Sequence, residues 1–185
     1  MRVITGSARG RRLNELKGND TRPTTDKVKE SIFNCIQFDV EGAQVLDLFA
    51  GTGQLGIEAL SRGAAGATFV DRRADAVRLV RDNLALCGFE ERAQVVCGDA
   101  MAYLAAPRCR FDIILLDPPY AEELLERALG QIAAFDICAP HGIIVAESSA
   151  DKELPPLAAP YRLYRTYRYG RIKLTVYHRD GEAEA

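Results

Sequence analysis

Between Gln44 and Ser148, short runs of β-branched and other apolar residues alternate with stretches of helical period. This alternation constrains the fold most, because parallel strands must be joined by a crossover and a helix is the usual one. The strand candidates are Gln44–Phe49, Ala67–Asp71, Gln94–Cys97, Phe111–Leu116 and Gly142–Glu147. Several are apolar on both faces, as strands inside a parallel sheet are. The intervening helices read as Gln54–Arg62, Ala74–Cys87 closed by Gly88, a short one after Asp99, and Glu122–Phe135. Val77, Val80, Leu84 and Cys87 fall on one face of the second of these. The fold class is α/β, with a mostly parallel sheet between helices.

Two further segments flank this core. Met1–Leu13 reads as a hairpin around Ser7–Gly10, followed by a loop and a helix from about Asp26 to Gln37. Thr25 is placed to cap that helix, with Asp26 at the positive end of its dipole. Val28, Ile32 and Cys35 or Ile36 give it an apolar stripe, while Lys27 and Glu30 point out. Tyr161–Tyr169 and Arg171–Tyr177 alternate basic with apolar or aromatic residues across Tyr169-Gly170, the pattern of an antiparallel hairpin. Pro155-Pro156 and Pro160 mark the loop before it.

A chain of 185 residues suits one domain and buries roughly 70% of its unfolded surface, so it needs neither disulfides nor a structural metal. Five scattered cysteines without a C-x-x-C pair, and only two histidines, argue against a zinc or disulfide framework and for a reducing compartment. No metal is expected. No signal-peptide core or membrane-length apolar stretch is present, so the expected location is the cytoplasm. A formal charge of −2 first speaks against a nucleic-acid partner. By segment, however, residues 1–29 carry +5, residues 30–160 carry −10, residues 161–179 carry +6 and residues 180–185 carry −3. Two basic segments thus bracket an acidic body, which suits either a localised phosphate-binding face or two solvated surfaces that never meet.

The first strand leads into Asp47-Leu48-Phe49-Ala50-Gly51-Thr52-Gly53, a glycine-rich turn between the carboxyl end of a strand and the start of a helix. Cofactors bind there in doubly wound sheets, and glycines allow the backbone to approach a ligand. Asp71 ends the second strand about 20 residues on, where an acid can accept hydrogen bonds from ribose hydroxyls. Asp99 follows the third strand. Each aspartate alone would suit a helix cap; their repetition at successive strand ends marks a site.

The most specific motif is Asp117-Pro118-Pro119-Tyr120, directly after the apolar Ile113-Ile114-Leu115-Leu116. The two prolines fix φ and remove two N–H donors, leaving the Asp117 carboxylate and the Pro118 carbonyl as rigid acceptors. Such a pair suits an amino group with two hydrogens to donate. Tyr120 offers a flat surface for a planar base.

With these motifs, the chain resembles class I S-adenosylmethionine-dependent methyltransferases that act on an exocyclic amine. The Arg22-Pro23-Thr24-Thr25-Asp26-Lys27-Val28-Lys29-Glu30 block, Met1-Arg2-Val3-Ile4-x-Gly6 and Arg9-Gly10-Arg11 narrow the resemblance to the RsmD-type 16S ribosomal RNA guanine-N2 methyltransferases. It spans residues 1 to about 178. It implies a Rossmann-like, seven-stranded, mostly parallel sheet with an antiparallel C-terminal hairpin. Residues 1–40 would form a basic hairpin and helix extension, and residues 41–185 the methyltransferase domain.

The resemblance also implies roles. S-adenosylmethionine would lie along Asp47, Phe49, Ala50, Gly51, Thr52 and Gly53, with its ribose on Asp71 beside Arg72 and its adenine beside Asp99 and Ala100. Asp71 stands where the family often has Glu. Asp117, Pro118, Pro119 and Tyr120 would hold a flipped guanine, Asp117 also bordering the cofactor. Arg2, Arg9, Arg11, Arg12, Arg22 and Thr24, with Arg165, Arg168 and Arg171, would contact RNA. Tyr167 and Tyr169 suit base stacking or sheet packing, with packing favoured. The expected partner is 16S rRNA within a partly or fully assembled small subunit, bound by a monomer. The alternatives are an adenine-N6 methyltransferase and a non-catalytic RNA-binding assembly factor; a protein-glutamine enzyme usually has Asn in place of Asp117.

Overall fold

A computed structural model describes residues 1–16, 25–106, 109–118 and 122–181. Its helices are α1 (Asp26–Cys35), α2 (Gln54–Ser61), α3 (Ala74–Cys87), α4 (Ala100–Ala105) and α5 (Glu122–Ala134). Its strands are β1 (Gln44–Asp47), β2 (Gly66–Asp71), β3 (Ala93–Cys97), β4 (Phe111–Leu116), β5 (Cys138–Ser149), β6 (Tyr161–Tyr169) and β7 (Ile172–Arg179). Among the described residues these strands form one sheet in the order β3-β2-β1-β4-β5-β7-β6. The first five are parallel, and β7 and β6 add the antiparallel hairpin.

Alternation along each strand sorts the core into two layers. Val45, Ile113, Leu115, Ile143 and Val145 pack under α1, α2 and α3. Their neighbours Leu46, Ile114, Leu116, Ile144 and Ala146 pack under α4 and α5. Both faces of the central strands are therefore buried, which is why their sequences are apolar throughout.

The expected elements are present, with differences that come from distant contacts. β5 begins at Cys138 rather than Gly142, because Cys138 pairs with Phe111 across a register shift in β4. α1 ends at Cys35, two residues before the expected Gln37. The N-terminal hairpin is reduced to one antiparallel bridge, Arg2 to Arg12. Its tip binds the body of the protein instead of extending the ladder: the Ser7 N–H donates to the Ser61 carbonyl at 2.8 Å. A Cβ on Gly6, whose φ is +87°, would lie 1.8 Å from that carbonyl oxygen, so only glycine fits.

The extension and the sheet share one core, since Val3, Leu13, Val28 and Phe33 belong to the same buried layer as Val45 and Ile57. A buried charge network adds to this. Glu58 on α2 accepts the Ile4 N–H at 2.8 Å and the Thr5 N–H at 3.0 Å. It also pairs with Lys29 of α1 at 3.5 Å and with Arg62 at 2.9 Å. Lys29 and Glu58 are both fully buried. Burial lowers the Lys29 pKa, opposed by the Glu58 charge.

Candidate active site

The candidate cofactor rim forms at the carboxyl ends of β1, β2 and β4. Asp47 stands opposite Phe69 of β2 and Leu115 of β4. Asp71 and Asp117 therefore lie two residues beyond it on either side, at positions of the same parity. Asp47 is 2% exposed, and its Oδ2 accepts the Gly56 N–H at 2.9 Å. Burial pushes its carboxyl up to about 7, and the nearby charges of Asp117 and Asp71 push the same way.

The turn after β1 needs left-handed backbone at Gly51 (φ 54°) and Gly53 (φ 77°). The Gly53 N–H donates to the Ala50 carbonyl at 2.6 Å, and a Cβ on Gly53 would meet both Val80 methyls at 3.2 Å. Above Gly51 a Cβ would find no heavy atom of the described residues nearer than the Phe49 carbonyl oxygen at 4.0 Å, so among them this side has room for a ligand. Ala50 is buried, while Phe49, Gly51 and Thr52 are half-buried.

Asp71 does two things in this arrangement. Its Oδ2 accepts the Gly51 N–H at 2.9 Å and its Oδ1 accepts the Arg73 N–H at 2.9 Å. Each oxygen retains a second lone pair for a hydroxyl donor. Arg72, beside it, is exposed. Asp99 caps α4 through Oδ1, which accepts the Ala102 N–H at 3.0 Å; Oδ2 takes no part in the cap. Ala100, the first residue of α4, is buried. Asp117 and Pro118 are half-buried at the end of β4. Pro119 and Tyr120 of the same motif lie outside the described residues, as do Arg22 and Thr24.

The basic residues divide by position. Arg9, Arg11 and Arg12 are exposed on the N-terminal arm, and Arg2 pairs with Asp26 at 3.0 Å. Arg168 and Arg171 lie near the Tyr169–Ile172 turn, at the end of the sheet where β5 terminates, and Arg168 pairs with Asp151 at 2.9 Å. Arg165 lies nearer mid-sheet, opposite Val176, with its guanidinium over the Tyr164 and Tyr167 rings. Tyr167 and Tyr169 pack against the core layer under α1, the packing expected of strand tyrosines.

Three polar residues that carry this architecture, Lys29, Glu58 and Asn83, are not singled out by sequence reasoning. All are fully buried. For Asn83 a signal exists: it lies between Val80 and Leu84 on the apolar face of α3, where a polar side chain needs a buried partner.

The family described as "Conserved hypothetical protein 95" matches residues 1–178. YlbH of Bacillus subtilis (strain 168) is 45% identical over 184 residues, covering 98% of this chain and 100% of that one. Ribosomal RNA small subunit methyltransferase D of Escherichia coli (strain K12) is 36% identical over 186 residues, covering 100% of this chain and 93% of its own. The solved structure of yhhF from Escherichia coli superimposes with a TM-score of 0.89 at 36% identity, covering 98% of this chain and 99% of that one.

Proposed function

The chain belongs to the Conserved hypothetical protein 95 family, that of the small-subunit ribosomal RNA methyltransferases D, and on that premise we propose that it transfers a methyl group from S-adenosylmethionine to the exocyclic N2 amine of one guanine in 16S rRNA. The observation that carries the reading is the register at the rim. Asp117, with the Pro118 carbonyl, follows β4 directly beside the glycine turn of β1.

The residues present fit the cofactor: an open glycine turn, an acid at the end of β2 with spare lone pairs, and a second acid at the start of α4. Gly51 to Gly53 would border its amino-acid part, Asp71 its ribose and Asp99 with Ala100 its adenine. When bound, it supplies an electrophilic methyl group on a sulfonium. The chain's own contribution is to hold the nucleophile. A guanine N2 lone pair is delocalised into the ring, and accepting both of its N–H bonds on Asp117 and the Pro118 carbonyl favours a more pyramidal, reactive nitrogen. Positioning is the main catalytic gain, and an Asp117 carboxylate oxygen is the acceptor for the released proton.

Residues 1–40 act in this reading as an RNA-contacting extension of the methyltransferase domain at residues 41–185, through Arg9, Arg11 and Arg12 together with Arg168 and Arg171. The protein works as a monomer in the cytoplasm, on rRNA within a small subunit. No described helix is long and apolar enough to cross a membrane. The test is methyl transfer from labelled S-adenosylmethionine to unmethylated 16S rRNA and to small subunits, followed by nucleoside mass spectrometry. N2-methylguanosine at one position is expected, with loss of transfer but retained cofactor binding in Asp117→Ala. N6-methyladenosine instead would overturn the choice of base, and full transfer by Asp117→Ala would overturn the assignment of Asp117.

A further inference from the structure

The glycine turn is supported from outside by the N-terminal arm, and the support passes through one side chain. Asn83 of α3 is fully buried. Its Nδ2 donates to the Thr52 carbonyl in the turn at 2.9 Å and to the Asn14 carbonyl in the arm at 3.1 Å. Its Oδ1 accepts the Asn14 N–H at 2.8 Å. The amide orientation follows from this network, because a backbone N–H can meet only the oxygen and the two carbonyls can meet only the nitrogen. A second contact runs the same way, with the Thr52 hydroxyl donating to Met1 Sδ at 3.3 Å.

The arm reaches this point carrying its arginines. The Leu13 N–H donates to the Met1 carbonyl at 3.2 Å and the Val3 N–H to the Arg11 carbonyl at 2.9 Å, so the two limbs of the arm are tied together. Arg11 is close enough to Cys87, one helical turn beyond Asn83 on α3, for its charge to oppose the upward push of burial on that thiol. Exposed arginines at positions 11 and 12 are thus only two or three residues from a backbone amide that shares Asn83 with the cofactor turn.

We propose that Asn83 is a positioning residue that couples the arm to the turn, so that RNA on the arginines and S-adenosylmethionine in the turn each tighten the binding of the other. The inference rests on the methyltransferase reading above. RNA held by Arg11 and Arg12 fixes the docked arm; the docked arm fixes Asn83; Asn83 fixes the Thr52 carbonyl and with it the turn. Linkage makes the effect reciprocal.

The experiment measures the affinity of the full chain for S-adenosylhomocysteine, which cannot be turned over, with and without saturating unmethylated 16S rRNA. The expected tightening by rRNA is at least about 5-fold, the lower end of usual coupling between sites. In Asn83→Ala the ratio should fall to about 1 while rRNA affinity on its own changes little. Because Asn83→Ala also removes buried hydrogen bonds, Asn14→Pro serves as a second variant. It deletes the arm-side N–H at an exposed position, leaves Asn83 in place, and should reduce the ratio in the same way. A merely structural Asn83 would lower the melting temperature and weaken both ligands without changing the ratio. That result, or a parent ratio of 1, overturns the proposal. Failure of the parent to bind S-adenosylhomocysteine at all would instead overturn the functional reading beneath it.

Discussion

Asp71 and Gly51, 20 residues apart, are joined by a 2.9 Å hydrogen bond from the Gly51 N–H to Asp71 Oδ2. The acid at the end of β2 is thus the strut of the turn after β1 as well as a candidate ribose acceptor. These roles separate by substitution. Asp71→Asn retains one carbonyl oxygen for a backbone donor, whereas Asp71→Ala leaves the Gly51 and Arg73 amides without it. Asp71→Ala is expected to lose about 1–3 kcal/mol of stability in addition to cofactor affinity, and Asp71→Asn, which keeps an acceptor for only one of the two amides, a smaller part of that stability together with affinity. Urea melts beside calorimetric titration with S-adenosylhomocysteine check this; equal stability losses in both variants would count against the strut.

Asp47 gives stability a pH dependence of definite sign. Folding raises its pKa from the ordinary aspartate value to about 7, so the folded state holds the proton more tightly than the unfolded one. The contribution is favourable below about 4, declines as pH rises, and is fully lost above about 7. Asp47→Asn keeps an oxygen for the Gly56 N–H and removes the titration. The variant should match the parent at about pH 3.5, below the unfolded aspartate value, and exceed it at pH 8 by about 1 kcal/mol or more. Urea melts at both pH values decide; a parent-to-variant difference that stays constant with pH would show that Asp47 does not titrate in this window.

The Lys29–Glu58 pair should be costly to break singly. Lys29→Met leaves Glu58 buried with Arg62 as its remaining cationic partner and is expected to cost about 3–5 kcal/mol. Adding Glu58→Gln should recover part of that loss, because a neutral amide needs less compensation. Chemical denaturation of both variants measures the recovery, and a double variant less stable than Lys29→Met would contradict it.

Neutralising Arg9, Arg11 and Arg12 together tests the proposed contact of the arm with RNA. All three are exposed, so the fold should be unaffected. The slope of log affinity for rRNA against log salt should flatten by about 2, taking roughly 0.7 per phosphate contact for single strands. An unchanged slope in a filter-binding salt series would remove the arm from the interface.

The parallel sheet was legible because both sides of each central strand must be apolar and some helix boundaries carry local signals, as Gly88 at the end of α3 and Asp99 at the start of α4 do. The glycine turn and the aspartates at the strand ends were legible for the same reason: they are local signals repeated at regular spacing. The start of β5 was not, since Cys138 enters the strand only by pairing with Phe111. Nor were Lys29, Glu58 and Asn83, whose partners lie far off in the chain. Helical period says that a face is buried, and here the buried face carries polar groups satisfied by backbone amides 50 or more residues away.

Those distances have a consequence for how the molecule is made. Ile4 precedes its anchor Glu58 by 54 residues, and Asn14 precedes Asn83 by 69. The arm is synthesised before either anchor exists, and closing loops of that length delays docking until α2 and α3 have formed. A nascent chain cut short before Asn83 holds its arm through Glu58 and Ser61, without the contact that ties Asn14 to α3. The arm's arginines are therefore held in place only after α2 and α3 have formed.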